Sequence, residues 1–243
     1  MLLCFASLLL VWDVQLKAMQ ALSRPIARRH LDRTVWKMAH RLLSVAKCYG
    51  GLTVEIDRRL LSDVPAPTVV CANHQSVADI IVLFDALRRH RVRFVAKKEL
   101  SRGFPAVSEV LRIQRHALIN RTGDYRDGAR QLHRLGRDTR GGASVVVFPE
   151  GTRSRTGEVH EFRGGGIRTI LNEALVPITA VAVDGGYRFS SLADTIGGLS
   201  TITYRASLVG VFDHDGTKQS ILQALKQAEA AVRAQIAAWR ARP

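Results

Sequence analysis

Residues 68–89 read TVVCANHQSVADIIVLFDALRR and carry a strong secondary-structure signal. The apolar run Thr68–Ala72 has the length of a fully buried strand, and the segment Ser76–Arg89 that follows has helical character. Polar residues with functional chemistry occupy the short loop between the two elements. A buried strand, a polar loop and a helix form the repeating unit of an α/β fold, in which function lies in the loops after the strands.

The same alternation continues on both sides of this unit. It predicts a single α/β domain over residues 51–243, with a mixed, largely parallel sheet covered by helices, preceded by an N-terminal helical segment over residues 1–50. The predicted strands are Thr53–Ile56, Thr68–Ala72, Arg93–Ala96, Ala117–Asn120, Ala143–Phe148, Val176–Val183 and Thr203–Val209, and the predicted helices are Ser76–Arg89, Tyr125–Asp138, Gly166–Glu173 and Gln219–Arg240.

The chain has a formal net charge of +15 over 243 residues. A surface this basic suits nucleic acid, anionic lipid or an acidic carrier protein. No helix-turn-helix, zinc-ligand pair or aromatic RNA-binding strand is recognisable, so we expect no nucleic-acid partner. The cysteines Cys4, Cys48 and Cys71 are far apart, which favours a reducing compartment and a cytoplasmic location.

The N-terminal segment favours a membrane surface. Residues Met1–Trp12 are apolar except for Ser7, and the polar Asp13 is expected to end this run before it reaches the roughly 20 residues that cross a bilayer. Between Val35 and Ala46, apolar residues recur at helical spacing while basic residues lie off that face. An apolar leader and a basic amphipathic helix indicate a membrane-associating segment that contacts anionic lipid headgroups.

His74 and Asp79 are the first candidate catalytic pair. On a continuous helix, residues five apart would point about 140° away from each other. We therefore expect His74 in the loop and Asp79 in the first turn of the next helix, where its carboxylate can hold one imidazole nitrogen. A structural alternative is that Ser76 and Asp79 form a capping box, which leaves His74 unexplained.

Two other nucleophiles are possible in the same stretch. Cys71 lies within an apolar strand, where a thiol is usually inert. Ser76 lacks the Gly-x-Ser-x-Gly turn that exposes a nucleophilic serine. Both are weaker candidates than His74.

A second polar turn follows the predicted strand Ala143–Phe148, in the stretch ASVVVFPEGTRS over residues 143–154. Its glutamate, glycine, threonine and arginine offer backbone N–H groups, a hydroxyl and a guanidinium. These groups suit a phosphate, although a polar turn without function would have the same composition.

Together the two stretches resemble the glycerolipid acyltransferases, in particular the bacterial 1-acyl-sn-glycerol-3-phosphate acyltransferase group. Asn-His-Gln-Ser-x-x-Asp is followed about seventy residues later by Phe-Pro-Glu-Gly-Thr-Arg-Ser, and the resemblance covers roughly Leu52 to Val183. Further matching segments are Lys98-Glu99-Leu100, Ala117-Leu118-Ile119-Asn120-Arg121 and Val176-Pro177-Ile178, whereas His116, Asn120, Ala180 and the triple glycine Gly164–Gly166 depart from the family pattern.

The resemblance implies a reaction. A fatty acyl group moves from acyl-CoA or acyl carrier protein to the free hydroxyl of 1-acyl-glycerol-3-phosphate, without a covalent acyl-enzyme and without a metal or other cofactor. His74 is then the general base and Asp79 orients it. The implied acceptor site comprises Arg121 and Arg153, which would bind the phosphate, and Glu150, Gly151 and Thr152, which would shape the pocket. The implied partners are membrane lipids, the lysophospholipid acceptor and the acyl donor, and the implied location is the cytoplasmic face of the cell membrane.

Other functions remain open at this point. The same chemistry could serve glycerol-3-phosphate, a lyso-ornithine lipid or another lysophospholipid. A thioesterase or lipid hydrolase would use water as the acceptor, and a non-catalytic basic protein would bind lipid or nucleic acid without acyl transfer. Loss of His74 would abolish acyl transfer but leave such binding intact.

Overall fold

The computed structural model describes residues 1–120, 125–189 and 199–241. Within them, seven strands form one sheet in the order β1-β7-β6-β2-β5-β3-β4. The strands are β1 (Thr53–Ile56), β2 (Val69–Ala72), β3 (Arg91–Lys97), β4 (Ala117–Ile119), β5 (Ala143–Val147), β6 (Ile178–Asp184) and β7 (Thr203–Phe212).

Strand directions confirm the predicted mixed, largely parallel sheet. The central strands pair in parallel, with β2 between β5 and β6 and with β3 between β5 and β4. The antiparallel pair is β6 with β7, and β1 runs parallel to β7. The carboxyl ends of β2 and β5 therefore lie side by side, and they bring together the two polar stretches of the sequence.

Eight α-helices lie in the described ranges. The four helices predicted after residue 51 are all present, with ends that differ by a few residues. The helices are α1 (Leu2–Leu22), α2 (Arg24–Gly50), α3 (Arg58–Ser62), α4 (Ala78–Ala86), α5 (Val107–Ile113), α6 (Tyr125–Arg140), α7 (Gly165–Leu171) and α8 (Lys218–Arg240).

Alternation along the central strands divides the core into two halves. Val70 and Ala72 of β2 belong to one buried apolar cluster, which α2 and α4 complete. Val69 and Cys71 belong to the other, which is filled from α7 and α8. Since successive side chains of a strand point to opposite faces, both faces of the sheet are covered by helices.

Helix α1 is longer than the sequence predicts. The helix does not end with the apolar run at Trp12. It continues because Asp13 and Lys17 lie one helical turn apart and form an ion pair of 2.6 Å within the helix. The helix continues to Leu22, and its mean hydropathy of 1.6 over an 18-residue window makes it long and apolar enough to cross a membrane. Asp13 also accepts the N–H of Ala106 at 2.8 Å, which ties α1 to the segment before α5.

Helix α2 belongs to the main core. Its buried residues include Leu31, Val35 and Leu43, which are part of the apolar cluster that α4 shares. The boundary predicted between residues 50 and 51 falls at the end of α2, and the division into an N-terminal segment and a catalytic domain stays a prediction.

Candidate active site

The loop after β2 is fixed to β6 by the side chain of Asn73. Its amide nitrogen donates to the carbonyl of Val183 at 2.8 Å, and its amide oxygen accepts the N–H of Val183 at 2.9 Å. The side chain therefore satisfies the strand backbone as a neighbouring strand would. The next residue, His74, leaves the sheet at its carboxyl edge from a fixed starting point.

His74 and Asp79 form a hydrogen-bonded pair. The distance from His74 Nδ1 to Asp79 Oδ2 is 2.7 Å, and the aspartate is fully buried in the first turn of α4. This is the arrangement expected from their spacing. A carboxylate on Nδ1 favours the tautomer in which Nε2 can accept a proton.

The same carboxylate also caps the start of α4. Asp79 Oδ2 accepts the N–H of Gln75 at 2.6 Å and that of Ser76 at 2.9 Å, and the Ser76 hydroxyl accepts the N–H of Ala78 at 3.2 Å. The capping and catalytic interpretations of this segment are therefore compatible, because one carboxylate makes both sets of contacts. The backbone N–H groups hold the carboxylate at a fixed place under the imidazole.

The face of the His74 ring is fixed by Phe148. The two rings stack with centroids 4.0 Å apart and an angle of 13° between their planes. The histidine side chain keeps 14% of its surface exposed, and in the described residues its Nε2 has no hydrogen-bond partner. The free nitrogen is thus available to a bound molecule.

Two hydrogen bonds join the second polar stretch, residues 143–154, to the backbone of His74. Its N–H donates to Glu150 Oε1 at 2.9 Å, and its carbonyl accepts the N–H of Ser154 at 2.7 Å. Glu150 Oε2 accepts a further N–H, from His160, at 3.2 Å. Burial raises the pKa of Glu150 to about 7, and the two backbone N–H groups partly oppose that rise.

Tyr204 is a site residue that sequence reasoning missed. It lies on β7, fully buried, and its hydroxyl donates to Asp79 Oδ1 at 2.7 Å. Burial first, and then the neighbouring Asp79, raise the pKa of the phenol well above its usual value. A tyrosine at a buried position of an alternating strand signals a hydroxyl that needs a partner, although the pattern does not reveal which one.

A network beneath the loop joins Gln75 to the last helix. The Gln75 side-chain amide donates through Nε2 to Asp184 Oδ1 at 3.0 Å, and its Oε1 accepts the N–H of Tyr187 at 3.3 Å. Arg240 of α8 binds both oxygens of Asp184, at 3.1 and 2.8 Å, and donates to the carbonyl of Gly157 at 3.0 Å. The residue beside the candidate base is therefore connected to the far end of the chain.

The predicted acceptor residues fall into three groups. Arg121 lies outside the described residues. Thr152 and Arg153 are exposed on the loop that grips His74, and Gly151 adopts a φ of +71° there. Glu150 is buried and its oxygens face backbone N–H groups, which gives it a bracing role besides any part in shaping the pocket. Binding of the acceptor by these residues stays a prediction.

Other chemical groups near the site are less suited to catalysis. Cys71 is fully buried, and burial raises the pKa of its thiol well above the ordinary value, so the reactive thiolate is disfavoured. Ser76 is buried and its oxygen is used in capping. His116, one of the departures from the family pattern, is buried and accepts the N–H of Phe94. In the parts of the chain that the structure describes, no three His, Cys, Asp or Glu residues are grouped to hold a metal ion.

Curated relatives align with about two thirds of this chain. They include the "Probable 1-acyl-sn-glycerol-3-phosphate acyltransferase" of Mycoplasma genitalium, 30% identical over 62% of this chain and 56% of the relative. The "Lyso-ornithine lipid O-acyltransferase" of Rhizobium meliloti is 34% identical over 63% and 47% respectively. The "1-acyl-sn-glycerol-3-phosphate acyltransferase beta" of Homo sapiens is 31% identical over 69% and 59%. The chain spans about half the length of these relatives.

A solved structure has the same fold. The crystal structure of the 1-acyl-sn-glycerophosphate (LPA) acyltransferase PlsC from Thermotoga maritima superposes with a TM-score of 0.73 at 20% identity, over 97% of this chain and 91% of that one. The family model described as Acyltransferase matches residues 55–184, more than half of the chain, and includes both polar stretches. By that match, and with the histidine and aspartate of its first motif in contact, this chain belongs to the acyltransferase family.

Proposed function

We propose that this protein is an enzyme that transfers a fatty acyl group from a thioester to the free hydroxyl of lysophosphatidate, forming phosphatidate. The observation that carries the proposal is the 2.7 Å contact between His74 Nδ1 and Asp79 Oδ2, which leaves Nε2 free at the edge of the sheet. A base held in this way removes a proton from a hydroxyl, which is the step that acyl transfer to an alcohol requires.

The reaction proceeds in two proton transfers. His74 Nε2 takes the proton of the acceptor hydroxyl while its oxygen attacks the thioester carbonyl carbon. The tetrahedral intermediate then collapses, the carbon–sulfur bond breaks, and the thiolate takes the proton from the imidazolium. Asp79 stabilises the imidazolium between these steps, and general-base help of this kind contributes roughly 10²–10⁴-fold to the rate.

Direct attack by the acceptor fits the environment of the site better than a covalent acyl-enzyme. The Cys71 thiol is buried in the apolar core on the other side of β2, and the Ser76 oxygen caps α4. Neither residue is available as a nucleophile, so the reactive group that an acceptor can meet is Nε2 of His74. Nucleophilic catalysis would need a hydroxyl or thiol within hydrogen-bond reach of that nitrogen.

The choice of acceptor depends on a phosphate site. Arg153 lies on the loop that grips His74, and Arg121 follows β4 in sequence. A guanidinium binds a phosphate with two parallel hydrogen bonds, so both suit the phosphate of lysophosphatidate. The names of the Mycoplasma and human relatives support this acceptor, and the name of the Rhizobium relative favours a lyso-ornithine lipid as the second candidate.

A lipid acceptor places the enzyme at a membrane, and we propose the cytoplasmic face. The exposed apolar residues Leu3, Leu10, Val11 and Val14 of α1 support attachment through this helix. Exposed Phe104 lies in the segment that Asp13 ties to α1, so an attached helix would hold this part of the domain near the lipid. The acyl donor is then either membrane-associated acyl-CoA or a soluble acyl carrier protein.

The test is an acyl-transfer assay on detergent- or vesicle-bound protein. Long-chain acyl-CoA and acyl carrier protein are compared as donors, and lysophosphatidate and lyso-ornithine lipid as acceptors. His74→Ala is compared with wild type, with His133→Ala as a matched control because His133 is half-exposed on α6 and pairs with Glu173. The expected result is phosphatidate from wild type and the control, and loss of about 10²–10⁴-fold in His74→Ala.

The other outcomes separate the alternatives. Turnover only with lyso-ornithine lipid would keep the mechanism and change the acceptor. Free fatty acid as the main product would indicate a thioesterase. No turnover with any pair, or full activity in His74→Ala, would contradict the proposal. Arg153→Gln is expected to raise KM for lysophosphatidate more than KM for the phosphate-free acceptor.

A further inference from the structure

The two oxygens of Asp79 have different partners. Oδ2 accepts from His74 Nδ1 and from two backbone N–H groups, whereas Oδ1 accepts from the Tyr204 hydroxyl at 2.7 Å. The three donors on Oδ2 fix the position of that oxygen but make no contact with Oδ1. The hydrogen bond from Tyr204 fixes the remaining degree of freedom, the rotation of the carboxylate plane.

The Tyr204 hydroxyl is held by its strand and by the end of β6. Tyr204 is fully buried on β7, and the next residue, Arg205, lies opposite Asp184 in the register between β7 and β6. Gly185 follows with a φ of +94°, which turns the chain over the tyrosine. A methyl group on Gly186 would lie 2.8 Å from Ser76 Oγ, 3.1 Å from Asp79 Oδ1 and 3.2 Å from Tyr204 Cε2. Gly186 therefore lies close against the Tyr204–Asp79 hydrogen bond, where a larger residue would press on both partners.

The phenol is a permanent donor at this place. The acidic groups that face it are Asp79 and Asp184, and Arg240 neutralises the second. Burial and these carboxylates raise the pKa of Tyr204 well above its usual value, so the proton stays on the oxygen throughout the pH range in which histidine titrates. The donor to Asp79 Oδ1 therefore does not change while the imidazole gains and loses its proton.

We propose that Tyr204 is a positioning residue for acyl transfer, which acts through Asp79 to hold the imidazole of His74 in its reactive orientation, under the cover of Gly186. This inference rests on the proposed function. It differs from a purely structural role for a buried tyrosine, because it requires Tyr204 to affect the rate only while His74 is present.

The test begins with Tyr204→Phe, which keeps the ring and removes the hydroxyl. We expect kcat to fall roughly 10-fold, a fraction of what the whole base contributes, with KM for donor and acceptor unchanged within about twofold. Without the donor, more negative charge remains on Asp79 and holds the proton on the imidazole. The acidic limb of the kcat–pH profile should therefore move to higher pH than in wild type. Tyr49→Phe, at an exposed position, is the matched control.

A double mutant separates the proposal from its alternatives. If Tyr204 acts through the histidine, His74→Ala/Tyr204→Phe has the same residual rate as His74→Ala alone. A further loss in the double mutant, or a Tyr204→Phe enzyme with wild-type kcat and pH profile, would overturn the inference while His74→Ala still reports on the proposed function. If thermal unfolding shows that Tyr204→Phe is not folded, Gly186→Ala is used in its place, because its methyl group presses on the same carboxylate. A folded Gly186→Ala enzyme with wild-type kcat would equally overturn the inference.

Discussion

The buried carboxyl of Glu150 should make the stability of this protein depend on pH in a specific direction. It accepts the N–H groups of His74 and His160, and burial raises its pKa from the ordinary 4.5 to about 7. Between these two pH values the folded protein binds more protons at this group than the unfolded chain does. The contribution of Glu150 to the free energy of unfolding is therefore full below pH 4.5 and is lost as pH rises through 7.

The size of this effect follows from the difference between the two pKa values. A difference between 4.5 and about 7 corresponds to about 3 kcal/mol in the free energy of unfolding. Glu150→Gln removes the titration, but it replaces one acceptor oxygen with an NH2 group that faces a backbone N–H, which costs about 1–3 kcal/mol. We expect the variant to be less stable than wild type at pH 5 and equal to it or more stable at pH 8.

Urea unfolding in detergent at pH 5, 6, 7 and 8 measures this difference directly. Groups that titrate equally in both proteins cancel when wild type and variant are compared at each pH. Glu161→Gln is the matched control, because this glutamate is exposed in the same loop. A difference between Glu150→Gln and wild type that stays constant from pH 5 to pH 8 would refute the reasoning.

Three further predictions concern the rest of the site. Asp79→Asn should lower kcat by roughly 10²-fold or more with little change in KM, because the imidazolium loses its anionic partner; steady-state kinetics check this, and an unchanged kcat would contradict it. Arg240→Met should lower both the unfolding temperature and kcat, because Asp184 is left buried without its cation; a variant equal to wild type in circular-dichroism melting would show that the network is dispensable. A thiol reagent should label exposed Cys48 in the folded protein without loss of activity, and should label buried Cys71 only in denaturant. Mass spectrometry of the labelled peptides shows which cysteine has reacted.

Sequence patterns predicted many of the helices and strands because residues close together in the chain determine where these elements form. The strand from residue 69 to 72 is apolar at every position, and the observed sheet buries it on both faces. The predicted helix Ser76–Arg89 is observed as Ala78–Ala86. It begins later than predicted because Gln75 and Ser76 donate their N–H groups to Asp79 before regular helix geometry begins. The same spacing argument placed His74 in the loop and Asp79 in the first turn.

Long-range contacts set what the sequence could not predict. Tyr204 is 125 residues from Asp79, Glu150 is 76 residues from His74, and Arg240 is 56 residues from Asp184. Sequence patterns and residue propensities describe a single helix or strand, so they cannot reveal which buried hydroxyl contacts which carboxylate in another element. The motif suggested that Glu150 shapes the acceptor pocket, whereas its contacts with backbone N–H groups depend on the side-by-side ends of β2 and β5. The length of α1 was missed for a simpler reason, because a paired Asp13 and Lys17 do not break an apolar helix as two isolated charges would.

The positions of Tyr204 and Arg240, far along the chain from His74, affect when the site can assemble during translation. During translation, His74 and Asp79 leave the ribosome about 125 residues before Tyr204, and the cation that holds Asp184 follows later still. The apolar helix α1, by contrast, precedes all of these residues in the chain, so it leaves the ribosome before them. Under the proposed function, a nascent chain can therefore reach the lipid through α1 while His74 is still unaligned, and acyl transfer begins only after α8 has docked.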